Sequence, residues 1–294
     1  MKIGLIGLGI MGTPMFLNIA KKHNDQVFCC DIRPEAAEQA ADEARKLGAD
    51  ARALPDSLSL AEAADLIITM VPKSEDSRSV WESILPALGP GKIGIDMSTI
   101  DPEVSVEIAK IVQERGAEFA DAPVVKSKAA AEQGKLGIYV GCREALFDKI
   151  CPVLSYMGAE VLRLGENGAG LVMKICHNAL VSQIQNGVNE TVTLAGRFGI
   201  DAKTYAHAIS MGGGQNAYLD NHVTMLQENE FPASFTVQNA AKDVHICMDL
   251  AGRIGLPMPG EENAVRVFDE ALRLGLGIED WGATVKAYRK LAEE

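Results

Sequence analysis

The sequence is short of positive charge. It has 28 Lys and Arg residues against 40 Asp and Glu, a formal net charge of −12, and no run rich in Lys or Arg. Proteins that bind DNA or RNA neutralise the phosphate backbone with clustered basic residues. We therefore exclude nucleic acid as a partner.

The six cysteines lack the spacings of a metal site or of a redox-active pair. No Cys-x-x-Cys pair occurs, and no Cys and His residues stand at the spacing of a zinc site. This pattern predicts reduced thiols, no metal and a cytoplasmic protein.

Long apolar runs are also missing. Residues 3–20 carry no charge, but four glycines, Pro14 and Asn18 interrupt them, and no small-residue cleavage site follows. We expect a soluble, untargeted chain without a membrane-spanning segment.

A glycine motif stands near the start of the chain. Gly7-Leu-Gly9-Ile-Met-Gly12 lies between a predicted buried strand at 2–6 and a predicted helix at 13–22. In this spacing the first glycine permits a tight turn, the second lets the backbone approach a pyrophosphate, and the third lets helix and strand pack closely. The motif predicts a dinucleotide site, in which Ile10 and Met11 belong to the same loop.

An acidic residue follows at the expected distance. Asp31 ends the second predicted strand, 27–30, where a carboxylate can accept both ribose hydroxyls of NAD and repel the 2′-phosphate of NADP. Arg33, two residues later, keeps NADP possible.

Predicted strands and helices then alternate as far as residue 165. This pattern is typical of an α/β fold in which a mostly parallel, doubly wound (Rossmann) sheet carries helices on both faces. Ligands of such sheets bind at the carboxyl ends of the strands. Three segments fall there: Met70-Val71-Pro72, 97–99 and 121–127.

Beyond residue 165 only helical patterns remain. We predict a dinucleotide-binding domain over 1–165 and an all-helical domain over 166–294, which serves substrate binding and dimerisation and is entered by a long helix at 168–197. Lys174 and Asn178 lie four residues apart on that helix and so share one face. Placed together, the amine can exchange a proton with an alcohol and the amide can orient that alcohol. The alternative interpretation is a solvated lysine and a structural asparagine.

With these parts the chain resembles the β-hydroxyacid dehydrogenase family over essentially its whole length. The resemblance rests on four motifs: residues 4–15, Asp121-Ala-Pro-Val, Gly168-Ala-Gly-x-x-x-Lys174-x-x-x-Asn178 and Lys242-Asp243. It implies hydride exchange between a nicotinamide cofactor and a small anionic hydroxyacid.

The resemblance also implies the roles of individual residues. Lys174 would be the general acid/base, because an ammonium in an apolar setting beside an oxidised nicotinamide loses its proton more readily. Asp243 would be mainly structural. The substrate contacts would be Thr99, Val125, Lys126, Ser127, Lys174, Asn178 and Lys242. The cofactor contacts would be Gly7, Gly9, Ile10, Met11, Gly12, Asp31, Met70, Val71, Pro72, Thr99 and Lys242.

Two departures from the family pattern leave the substrate open. Where the family usually continues Asp-x-Pro-Val with Ser-Gly-Gly, this chain has Val125-Lys126-Ser127, and relatives that reduce sulfolactaldehyde are similar in placing a basic residue there and in a late Asp280-Trp281 pair. His177 stands where many members have Asn, as a substrate contact or as a packing residue. The leading interpretation is a sulfolactaldehyde-reductase-like enzyme, and the alternatives are 3-hydroxyisobutyrate, tartronate semialdehyde and 2-(hydroxymethyl)glutarate dehydrogenases.

The alternative to an enzyme is a protein that binds the dinucleotide without catalysis. The glycine motif alone would suit a catalytically silent NAD-binding sensor, but a sensor has no need of Lys174, Asn178 and Lys242. Family analogy predicts a homodimer or homotetramer.

Overall fold

The computed structural model describes residues 1–292, which divide between two compact units, Met1–Lys174 and Ile175–Glu294. The domain boundary expected after residue 165 stays a prediction, because the helix that follows it contributes residues to both units.

One nine-stranded sheet organises the first unit. Its order is β3-β2-β1-β4-β5-β6-β8-β7, with β9 paired to β8. Neighbours from β3 to β6 are parallel, β8 runs antiparallel to β6 and β7, and β9 is parallel to β8. The predicted mostly parallel Rossmann sheet is confirmed. The strands are β1 (Ile3–Ile6), β2 (Val27–Cys30), β3 (Ala51–Ala53), β4 (Leu66–Thr69), β5 (Ile93–Asp96), β6 (Glu118–Asp121), β7 (Val124–Val125), β8 (Leu136–Gly141) and β9 (Gly158–Gly165).

Helices cover both faces of this sheet. Successive strand residues point to opposite faces, so Leu5 and Ile68 join one hydrophobic cluster while Ile6 and Ile67 join another. Each fully buried aliphatic side chain of this kind contributes about 1.5–3 kcal/mol. The helices are α1 (Gly12–Lys22), α2 (Pro34–Lys46), α3 (Ser57–Ala63), α4 (Ser74–Ile84), α5 (Pro102–Glu114), α6 (Lys128–Glu132) and α7 (Glu144–Leu154).

The central parallel strands end in register. Cys30, Ile6, Thr69, Asp96 and Asp121 are Cα partners in sequence across β2, β1, β4, β5 and β6. The chain segments that leave these strands therefore start from one edge of the sheet.

Helices are the regular elements of the second unit within residues 175–292, where an isolated β-bridge also joins Thr236 and Asp280. Its core includes Val188, Leu219, Val244 and Phe268. Its elements are the C-terminal part of α8 (Ala169–Arg197), then α9 (Ala202–Ser210), α10 (Ala217–Glu228), α11 (Val237–Arg253), α12 (Pro259–Arg273), a 3-10 turn (Trp281–Ala283) and α13 (Thr284–Leu291). Among residues 1–292 no helix has the length and hydrophobicity that crossing a bilayer requires.

Candidate functional site

The glycine loop joins β1 to α1 in a conformation that needs its glycines. Gly7 has φ +98°, and a Cβ there would lie 2.3 Å from the carbonyl oxygen of Met70. A Cβ on Gly12 would lie 1.9 Å from the carbonyl oxygen of Gly7. Both positions therefore exclude any side chain.

Gly9 differs, since no atom beyond its two neighbours in the chain lies within 4 Å of the position its Cβ would take. The adjacent start of α1 has no side-chain cap and no acidic residue in its first turn. Backbone N–H groups and the positive end of a helix dipole suit an anion. This loop fits the pyrophosphate of a dinucleotide.

Asp31 is fixed at the end of β2 by its neighbours. Its carboxylate accepts hydrogen bonds from the backbone N–H of Leu8 (2.6 Å) and of Arg33 (2.9 Å), and its Oδ1 lies 3.2 Å from the Arg33 Nε. Burial opposes ionisation, but these bonds and the Arg33 charge hold the pKa of Asp31 below its ordinary value. The carboxylate is thus charged at neutral pH beside the exposed Arg33 guanidinium.

The two segments expected to line the cofactor are tied to each other. The Val71 N–H donates to Ser98 Oγ (2.9 Å), and the Ser98 N–H donates to the buried carboxylate of Asp96 (2.9 Å). Met70 and Thr99 flank this connection and are half-buried, while Pro72 is exposed. Residues 70–72 and 97–99 therefore lie together at the edge of the sheet.

The segment after β6 is held by the antiparallel strand β7. Val124 and Val125 pair with Ile138 and Gly137 of β8 and are buried. Lys126 and Ser127 follow and are exposed. Lys126 has φ +82°, in the left-handed region that favours glycine, and its Nζ lies 3.8 Å from Glu160.

Asp121 stands where β6 ends and has no exposed surface. Its carboxylate accepts hydrogen bonds from the backbone N–H groups of Gly168 (2.7 Å) and Leu171 (3.0 Å), at the start of α8. Burial raises the pKa of Asp121 to about 6, and Asp96 adds to the effect, although the two N–H donors oppose it.

Lys174 lies in α8 and is half-buried, as is His177. Leu171, three residues before Lys174, and Ile175, the residue after it, are almost completely buried. The amine thus leaves the helix between apolar positions.

A three-residue cluster surrounds Asn178 in the second unit. Asn178 Nδ2 donates to Asp243 Oδ2 (2.6 Å), and Lys242 Nζ donates to Asp243 Oδ1 (2.8 Å). Asn178 is 8% exposed and Asp243 is 2% exposed. One buried carboxylate therefore orients two of the predicted substrate contacts.

The sequence interpretation underrated Asp121 and Asp243. Both were placed in motifs, but the hydrogen bonds of their carboxylates join positions far apart in the chain. An acidic residue next to apolar residues, as in Ala120-Asp121-Ala122 and Asp243-Val244, was the available signal, because buried carboxylates require partners.

Family models match both parts of the chain. Residues 2–165 match the NAD binding domain of 6-phosphogluconate dehydrogenase, and residues 168–288 match the NAD-binding domain of NADP-dependent 3-hydroxyisobutyrate dehydrogenase.

Individual proteins are similar over nearly the whole length. 2-(Hydroxymethyl)glutarate dehydrogenase of Eubacterium barkeri is 30% identical over 99% of this chain and 95% of its own. Mitochondrial 3-hydroxyisobutyrate dehydrogenase of Rattus norvegicus is 33% identical over 98% of this chain and 87% of its own. The structure of Mycobacterium tuberculosis 3-hydroxyisobutyrate dehydrogenase with L-serine superposes with a TM-score of 0.85 at 25% identity, covering 98% and 99% of the two chains.

Proposed function

Because the chain belongs to the β-hydroxyacid dehydrogenase family, and is thus an NAD(P)-dependent oxidoreductase, we propose that it interconverts a small anionic β-hydroxyacid or hydroxyalkyl sulfonate with its aldehyde. Lys174 is the general acid/base of this proposal. The leading substrate is sulfolactaldehyde, reduced with NADH.

The cofactor would be held by the glycine loop and by the segments at the strand ends. Gly9 and the start of α1 suit the pyrophosphate, and Asp31 suits the adenosine ribose. These residues would hold a nicotinamide cofactor, which would supply the hydride in reduction and accept it in oxidation. Contacts from Ile10, Met11, Met70, Val71, Pro72, Thr99 and Lys242 complete the proposed cofactor site.

The protein side chains would supply proton transfer and orientation. In oxidation the neutral Lys174 amine takes the hydroxyl proton, and in reduction its ammonium returns that proton to the carbonyl oxygen. Asn178 and Lys242 would hold polar groups of the substrate. Their orientation is fixed because Asp243 accepts a hydrogen bond from each of them.

Lys126 is the residue that favours a sulfonate as the anionic group of the substrate. A lysine in the left-handed conformation costs about 1–3 kcal/mol where glycine would cost little, so its presence favours a functional reason. Its ammonium, between Val125 and the Ser127 hydroxyl, suits an anion with three oxygens better than glycine backbone would. Glu160 supplies a weak, exposed counter-ion to Lys126.

A substrate panel tests this proposal. Purified protein would be assayed by NADH absorbance with sulfolactaldehyde, tartronate semialdehyde, 3-hydroxyisobutyrate and glyceraldehyde 3-phosphate. We expect the highest kcat/KM with the sulfonate. A higher value with either carboxylate would transfer the proposal to the carboxylate-specific alternatives, including the 2-(hydroxymethyl)glutarate type. Bound NADH without turnover of any compound would favour the sensor.

Replacing Lys174 tests the mechanism. Lys174→Ala should lower kcat about 10²-fold or more, the usual contribution of a positioned acid/base, with NADH affinity nearly unchanged. Lys203→Ala, an exposed lysine on α9, serves as the matched control. Retention of most of the activity by Lys174→Ala would remove this residue from the mechanism.

We further propose a homodimer or homotetramer that works in a reducing compartment such as the cytoplasm. Leu180 and Leu194 are exposed along α8, Phe198 is exposed directly after it, and all six cysteines are free. Light scattering coupled to gel filtration measures the assembly.

A further inference from the structure

The start of α8 lies against the sheet with no room for a side chain at Gly170. A Cβ on Gly170 would lie 2.5 Å from the Tyr139 carbonyl oxygen and 3.0 Å from the Gly141 nitrogen. A Cβ on Gly141 would lie 2.4 Å from Asp121 Oδ1. Backbone therefore packs on backbone at this point, and small displacements of the helix are resisted by direct contact.

Hydrogen bonds fix the same turn. Both Asp121 oxygens accept N–H groups from it, and Asn167 Nδ2 donates to the carbonyl oxygens of Phe119 (2.9 Å) and Gly141 (3.3 Å). Asp121 thus satisfies two of the four N–H groups that an α-helix leaves unpaired at its start. A carboxylate at that end of the helix also interacts favourably with the helix dipole.

Lys174 follows closely on this anchored turn. It is three residues after Leu171, which is about 4.5 Å along a helix axis. A shift of the turn is therefore transmitted directly to the Lys174 amine. Proton transfer requires heavy atoms within about 3 Å, so a misplacement of 1 Å can lower the rate as much as 10²-fold.

We propose that Asp121 is a positioning residue, which holds the first turn of α8 and so places the Lys174 amine for proton transfer. This inference rests on the proposed function of Lys174. Asp121 itself touches neither substrate nor cofactor in this proposal.

Protonation of Asp121 should weaken the anchor. A neutral carboxyl has one good acceptor oxygen for two N–H groups, and the pKa of Asp121 is raised to about 6 by burial. Asp96 on β5 and Cys142 after β8 interact electrostatically with Asp121, and Cys142 in turn interacts with Arg163 on β9 and Glu166 before α8. Of these, Asp96 disfavours the charged form of Asp121.

The variant test uses kcat in the direction of aldehyde reduction. This direction needs the Lys174 ammonium, so loss of activity on acidification cannot come from Lys174. We expect wild-type kcat to fall as the pH drops below about 6. Asp121→Asn should lower kcat roughly 10-fold or more at pH 7.5, leave the Kd for NADH within about twofold, and lose this acid limb.

Asp280→Asn is the matched control. Asp280 is also fully buried and accepts backbone N–H groups, from Phe235 and Gly282, in the other unit. It should lower the melting temperature without changing kcat more than about twofold. An equal loss of kcat in both variants, or a persisting acid limb in Asp121→Asn, would overturn the positioning role.

A second measurement needs no variant. The amide resonances of Gly168 and Leu171 in wild-type protein should titrate with the same midpoint as kcat. Different midpoints would contradict the proposal. The kinetics distinguish this inference from the proposed function. An active Lys174→Ala variant would refute the proposed function of Lys174. An inactive Lys174→Ala variant together with a fully active Asp121→Asn variant would refute only the positioning role of Asp121.

Discussion

Asn178 and Asp243 lie 65 positions apart in the sequence and share a buried hydrogen bond of 2.6 Å between Nδ2 and Oδ2. This bond determines which way the amide faces, since its nitrogen is committed to the carboxylate. The other Asp243 oxygen holds Lys242. Asp243 therefore organises two proposed substrate contacts, which lie on different helices.

Asp243→Asn should uncouple these contacts. The new amide nitrogen would meet either the Lys242 ammonium or the Asn178 amide, and both are donors. We expect kcat/KM to fall by roughly 10- to 100-fold, equivalent to about 1.5–3 kcal/mol for hydrogen bonds to a charged group. Steady-state kinetics with each substrate of the panel would measure this loss.

The control is Asp249→Asn, an exposed carboxylate on the same helix. It should change kcat/KM by less than about twofold. If both variants behave alike, Asp243 has no specific role in substrate binding.

Cofactor preference should depend on Asp31. Asp31→Ser removes the acceptor for the ribose hydroxyls and the repulsion of a 2′-phosphate, and it releases Arg33 from its ion pair. The ratio of kcat/KM for NADPH to that for NADH should rise. In Asp31→Ser/Arg33→Ala most of the gain should vanish. A wild-type protein that already prefers NADPH would contradict this interpretation.

Lys126→Gly should separate stability from activity. Glycine accepts φ +82° without strain, so the free energy of unfolding should rise by about 1 kcal/mol. The same change should cost a sulfonate substrate roughly 2 kcal/mol in kcat/KM and cost 3-hydroxyisobutyrate much less. Urea unfolding and kinetics measure the two effects, and equal kinetic losses on both substrates would mean that Lys126 only supports its loop.

Glu261 should make the stability depend on pH. It is fully buried on α12, and burial raises its pKa to about 7, while hydrogen bonds from Ser182 and Gln183 oppose the shift. Ser182 Oγ lies 2.8 Å from the Ala179 carbonyl oxygen and 2.9 Å from Glu261. One hydroxyl proton cannot serve both acceptors, so a protonated Glu261 that donates to Ser182 completes the hydrogen bonding.

The sign follows from the raised pKa. The folded state holds the proton more tightly than the unfolded state, so this stabilisation is complete below pH 4.5 and is lost as the pH rises through 7. Glu261→Gln stays neutral and should exceed wild type by up to about 3 kcal/mol in free energy of unfolding at pH 8, and by much less at pH 5. The exposed neighbour substitution Glu262→Gln should show no such dependence. A pH-independent difference between Glu261→Gln and wild type would contradict the buried acid.

Local patterns were sufficient to predict most elements of the fold. Buried strands such as β4 and the long helix, expected at 168–197 and observed at Ala169–Arg197, have strong hydrophobic signals of their own. The strands β3 and β7 were not predicted, since they have three and two residues. Strands this short are defined by their partners in the sheet, which a local pattern does not contain.

The candidate site divides in the same way. The glycine loop and Asp31 could be located because their spacing along the chain is itself the signal. The sequence could not predict the hydrogen bonds from α8 to Asp121 or the Asn178–Asp243 pair. Periodicity assigns a residue to a face of a helix but does not identify the residue that it contacts. The left-handed conformation of Lys126 could not be predicted either, because the sequence has no glycine or asparagine at that position.

The pairing of β7 with β8 has a consequence for how this protein could change over evolutionary time. Val124 and Val125 are anchored in the sheet, whereas the exposed residues that follow carry no part of the core. A few substitutions at 126 and 127 could therefore alter the accepted compound without refolding the scaffold. A lineage could acquire a new metabolic role through this short stretch, and transplanting it between relatives is a practical route to redesigned catalysts.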